Sequence, residues 1–82
     1  MFCAIYRGRR RSDTYLYVPV EGDFSSVPRE ILAALGEPVH VMNLTLTPDR
    51  RLARADARTV MRMLLSRGCY VQLPPQDEER FV

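Results

Sequence analysis

Arg7, Arg9, Arg10 and Arg11 place four guanidinium groups within five positions, and Tyr15 and Tyr17 follow, one residue apart. Guanidinium forks match phosphate oxygens, and aromatic rings give bases a face to stack on. A second set, Arg50, Arg51, Arg54, Arg58 and Arg62, carries its last three members at the four-residue spacing of one helix side. Arg9, Arg10, Arg11, Arg54, Arg58, Arg62, Tyr15 and Tyr17 therefore form a candidate RNA- or anion-binding set. The plainer alternatives are a solvated hairpin tip for the first cluster and the ordinary polar face of a surface helix for the second. Arg54 and Arg58 also stand near a helix start, where positive charge is unfavourable.

A different chemistry is offered near the end of the chain. Tyr70 and Gln72 share one strand face, and Pro74 and Pro75 follow as a rigid pair. An aromatic ring, an amide and two prolines suit the lining of a groove for a peptide or a nucleotide. Alternatively, Gln72 satisfies backbone groups and the prolines end the strand.

Catalytic groups are sparse. His40 is the only histidine and has no cysteine, histidine or carboxylate at ligand spacing, so no metal site is expected. Asp23, Asp56 and His40 are the residues around which a small enzyme would have to be built, yet no nucleophile motif accompanies them. The four glycines are isolated, and none forms a phosphate-cradling loop. No cofactor is expected. Cys3 and Cys69 both fall in strands, in step with core residues, and read as buried thiols rather than a disulfide.

The 82 residues bound the answer to one domain with a thin stability margin. Net charge is only +2, and every one of the twelve basic residues is arginine. A GC-rich genome produces that bias without any demand from nucleic acid. No apolar run reaches the roughly 20 residues of a membrane helix. The start, MFCAIYRGRRR, has its apolar residues before its arginines, the reverse of a signal peptide, so a cytoplasmic protein is expected.

The elements that would position these residues can be read in turn. FCAIYR at 2–7 and TYLYVPV at 14–20 read as an antiparallel hairpin joined by GRRRSD. Leu16, Val18 and Val20 share its core face, and Tyr15 and Tyr17 point away from the core. VPREILAALG reads as a helix with Ser25 or Ser26 as cap, a stripe of Val27, Ile31, Leu32 and Leu35, and Gly36 as its stop. PVHVMNLTL at 38–46 is apolar on both faces, which predicts an interior strand. A second helix is expected from about Ala55 to Arg67, with Ala57, Val60, Met61 and Leu64 inward. CYVQL at 69–73 reads as a fourth strand, and the tail after it is acidic. The order β-β-α-β-α-β predicts a single layered α/β (α+β) domain.

With these elements placed, "CAIYR", "TYLYV", "DFSSVP", "LARAD" and "GCYVQLPP", in this order and spacing, resemble the YcgL family of small bacterial proteins. The resemblance runs from Phe2 to Pro75 and divides the chain into a YcgL-like domain at 1–75 and a short tail at 76–82. It implies a compact α/β domain without an assigned activity. Relatives often carry an aromatic where this chain has Cys69, and many continue into a longer helical tail. Genes of the family lie near ribonuclease genes in some genomes, which points towards RNA. The expected function is a non-catalytic binding module acting through an RNA or a protein partner, as a monomer or weak oligomer. The alternative is a small enzyme with its site near Asp23, Asp56 and His40.

Overall fold

The computed structural model of the chain describes residues 1–52 and 55–74. Six elements follow in the order β1 (Phe2–Gly8), β2 (Tyr15–Val18), α1 (Arg29–Leu35), β3 (Pro38–Thr45), α2 (Ala57–Arg67) and β4 (Tyr70–Gln72). The strands form one antiparallel sheet in the order β3-β1-β2-β4.

The sheet is covered on both faces, and strict side-chain alternation decides which residue meets which helix. Ala4, Tyr6, Leu16 and Val18 pack with Val27, Leu35 and Cys69 on the α1 side. Cys3, Ile5 and Tyr17 pack with Leu46, Ala57, Val60 and Leu64 on the α2 side. Leu16 and Val60 are fully buried, each stabilising the fold by roughly 1.5–3 kcal/mol. The expected inward faces of both helices are the ones observed.

Three expectations are corrected. β3 is an edge strand, not an interior one. Its double apolar pattern leaves Val41 and Met42 exposed, and only Leu44, followed by Leu46, joins the core. The interior strands are β1 and β2. Tyr15 and Tyr17 do not face away from the core, because α2 covers the face they occupy. Tyr17 can be buried there because its hydroxyl donates to Gln72 Oε1 at 3.0 Å, and its ring meets Tyr70 edge-to-face. Val20 lies beyond the end of β2 and is exposed.

The start of α1 also differs from expectation. Pro28 occupies the cap position, and no side chain caps the helix. Ser25 instead donates both its amide and its hydroxyl to Asp23 Oδ1, closing a local turn before the helix. At the other end, Gly8 sits so close to α1 that an added Cβ would lie 2.6 Å from the Leu35 carbonyl oxygen. Gly68 ends α2 in the left-handed region with φ of 79°, a conformation glycine adopts without strain.

Candidate functional site

The first arginine cluster is built into the end of α1. The Arg9 amide donates to the Glu37 carbonyl and the Arg10 amide to the Leu35 carbonyl, at 3.1 and 2.9 Å. The Arg10 guanidinium reaches the Ala33 carbonyl at 3.5 Å. Carbonyls at a helix end lack intrahelical partners, and the negative end of the macrodipole favours a cation there. Arg9 pairs with Glu37 at 3.6 Å, with both side chains about three-quarters exposed. Such a pair contributes at most about 1 kcal/mol. Arg11 is exposed.

The second cluster lies in the opposite layer. Arg58 and Arg62 are exposed on α2, away from the inward Ala57, Val60 and Leu64. Arg54 lies outside the described residues. Tyr15 and Tyr17, the proposed stacking platforms, lie beneath α2 rather than between the two clusters. Burial pushes the Tyr17 hydroxyl above its ordinary 10.0, with smaller contributions from Cys3, Tyr70 and Tyr15.

Asp56, at the start of α2, lies in the other layer from His40 and from the Asp23 loop, both of which border Tyr6. His40 meets the Tyr6 ring edge-to-face at 5.3 Å on the α1 side of the sheet. Asp56 caps α2 in position and receives the Thr59 hydroxyl at 3.1 Å. Asp23 is held by Ser25, whose hydroxyl and then amide lower its carboxyl below the ordinary 3.8. One polar chain escaped sequence reasoning. Asn43 donates to Glu21 at 2.6 Å, and its Oδ1 meets His40 Nε2 at 2.7 Å. With the Asn43 amide donating to Glu21, its oxygen must accept, so His40 Nε2 carries the proton. An asparagine inside a strand otherwise rich in β-formers was the available signal.

Tyr70 and Gln72 meet at the other side of the sheet, on β4. Their side chains turn towards α2, where they hold Tyr17. Pro74 is buried, and Pro75 lies outside the described residues. The feature of interest is the backbone beside them. The Gly8 amide donates to the Thr14 carbonyl, which makes Gly8 and Thr14 a hydrogen-bonded pair. Such pairs alternate along an antiparallel ladder. From the register, the Leu16 backbone therefore points to β1, and those of Tyr15 and Tyr17 point to β4. Tyr70 and Gln72 face them, so Val71 turns its N–H and C=O to the open edge. No described residue pairs with Val71 there.

This edge is the floor of a groove of about 320 Å³. One wall is Ser26, Pro28 and Ile31, at the start of α1. The other is Met63 and Arg67, near the end of α2. Cys69, Tyr70 and Val71 line the floor between them. Cys69 is buried, its Sγ is 4.0 Å from the Ser26 carbonyl oxygen, and burial pushes its thiol above the ordinary 9.0.

Comparison with known proteins identifies the family. A family model described as the YcgL domain matches residues 3–75. The chain belongs to the YcgL domain family. A YcgL domain-containing protein of Cronobacter sakazakii is 50% identical over 78 residues, covering 95% of this chain and 86% of the relative. One from Yersinia pestis strain Pestoides F is 46% identical over 78 residues, covering 95% and 87%. Among its described residues this YcgL domain is a four-stranded antiparallel sheet between two helices, with the β4 edge bordering a groove. No helix among the described residues is long and apolar enough to cross a membrane.

Proposed function

We propose that this YcgL domain is a non-catalytic interaction module. Its partner is a protein that lays an extended segment along β4. The observation that carries this is the outward N–H and C=O of Val71 at the floor of a groove walled by both helices. Strand addition supplies main-chain hydrogen bonds for affinity and pockets for alternate side chains for specificity. Ile31, Met63 and Val71 offer apolar contacts, and Arg67 offers a cation at one wall. β4 is only three residues long. Each added backbone bond is worth about 0.5–1.5 kcal/mol net, so the apolar walls must supply much of the affinity.

RNA is the less favoured partner. Arg10 closes the end of α1 and Arg9 pairs with Glu37 just beyond it, the α2 arginines lie in the opposite layer, and the tyrosines are covered. The candidate groove residues Tyr70 and Gln72 act chiefly by holding the edge in place.

Val71→Pro tests this directly. Proline lacks the outward N–H but leaves the β2 ladder intact, since Val71 makes no ladder bond. Affinity capture from cell extract is expected to yield a complex that survives nuclease and salt with the native chain and is lost with Val71→Pro. A complex that nuclease dissolves, or one that Val71→Pro retains, would overturn it.

A further inference from the structure

The outer side of α2 carries a surface that strand addition at β4 does not use. Arg58, Met61, Arg62 and Leu65 follow one another at three- and four-residue spacing. They form two parallel rows, one cationic and one apolar, the apolar row running from Met61, half-buried against the core, to the exposed Leu65. Leu65 is 78% exposed, the highest among the exposed large hydrophobic residues. These rows and Pro48, on the facing loop, border a shallow groove of about 590 Å³ whose surface is mostly apolar. Neither of its two guanidinium groups forms an ion pair with a carboxylate among the described residues. Asp49 accepts the Thr47 hydroxyl, and Asp56 accepts that of Thr59, through which it is linked to Arg62 without a direct ion pair. Arg62 reaches only the Thr59 hydroxyl, at 3.4 Å, and no carboxylate among the described residues pairs with Arg58 or Arg62.

We infer that this face of α2 docks an acidic amphipathic helix of a protein partner. Its apolar row would lie over Met61 and Leu65, and its carboxylates would meet Arg58 and Arg62. The charge on the groove selects the sign of the partner, and the apolar row selects a folded, one-sided ligand over a plain polyanion. Arg58 to Leu65 spans about two helical turns, so a partner helix of two to three turns covers it. Nucleic acid fits less well. Single-strand binding relies on exposed aromatic platforms beside the cations, and the tyrosines of this layer lie under the helix.

The test uses the full chain and a labelled, end-blocked peptide of about sixteen residues, long enough to hold helix, with leucine on one face and glutamate on the flanks. Binding is read by fluorescence anisotropy at low salt. The glutamate–leucine peptide is expected to bind saturably, and a glutamate–alanine peptide of equal charge about tenfold more weakly. Leu65→Ala is expected to cost about tenfold, and added salt to weaken binding further. Arg58→Glu combined with Arg62→Glu is expected to reject the glutamate–leucine peptide and accept its lysine–leucine counterpart. All three positions are partly or wholly exposed, and circular dichroism melts confirm that the variants fold. The inference is overturned if the glutamate–leucine peptide does not bind, or if binding is indifferent to Leu65 or unchanged by charge reversal. It is equally overturned if single-stranded RNA or anionic vesicles bind the native chain more tightly through the same residues. Val71→Pro leaves this surface intact, so loss at β4 and loss at α2 are separable.

Discussion

Replacing Tyr17 by phenylalanine removes one oxygen and leaves the ring, its burial and its edge-to-face contact with Tyr70 in place. What is lost is the hydroxyl's bond to Gln72 Oε1 at 3.0 Å. A neutral bond of this kind is worth about 0.5–1.5 kcal/mol net. Gln72 is half-buried, so its freed oxygen can be rehydrated, which places the expected cost near 1 kcal/mol. For a domain of this size that lowers Tm by about 4–8 °C. The reverse change, Gln72→Leu, strands the hydroxyl of a residue only 5% exposed and is expected to cost more. A double-mutant cycle by urea denaturation then isolates the pair. The two single changes and their combination are expected to show a coupling of about 1 kcal/mol, because the double variant no longer strands either group. Tyr15→Phe serves as the control, with little effect expected. A coupling within about 0.3 kcal/mol of zero would refute the claim that Tyr17 and Gln72 act as one structural pair fixing β4.

Other expectations concern the packing and charge of the fold. Gly8→Ala drives a Cβ to 2.6 Å from the Leu35 carbonyl oxygen, which is backbone and cannot swing aside, so thermal melts should show a loss of about 1–3 kcal/mol. Arg9→Ala should lower stability by less than about 1 kcal/mol, and a larger loss would give the exposed Glu37 pair a weight its geometry does not support. Burial raises the thiols of Cys3 and Cys69 above 9.0 and the Tyr17 hydroxyl above 10.0. The native state therefore holds these protons more tightly than the unfolded chain. Their contribution is complete below about pH 9 and is lost as pH rises through the raised native values. Denaturation midpoints should fall above that pH, and both thiols should resist alkylation until the chain unfolds.

The element order, both helix stripes and the antiparallel hairpin were legible in the sequence because alternation and helical spacing report directly on burial. Sheet order was not. β3 carries apolar residues on both faces and looks interior, whereas β2, with two tyrosines, looks half-wet. The difference turns on Gln72, fifty-five residues from Tyr17, whose amide lets a tyrosine hydroxyl enter the core. No local pattern announces such a partner. The structural part of the arginine-rich turn was hidden for a related reason, since its backbone and the Arg10 guanidinium close the end of a helix that lies later in the chain. Tyr70 and Gln72 drew notice as unusually polar for a core strand. Their side chains turned out to face α2, and the open backbone lies between them at Val71, which only the register reveals.

Amide hydrogen exchange along β4, with and without the captured protein partner, tests the central claim most directly. Tyr70 and Gln72 already donate to β2 and are expected to be protected in both states. The Val71 amide faces the open edge and is expected to gain strong protection only in the complex. If Val71 exchanges at the same rate in the complex as in the free chain, no strand has been added at β4, and the account of this edge as the binding site is wrong.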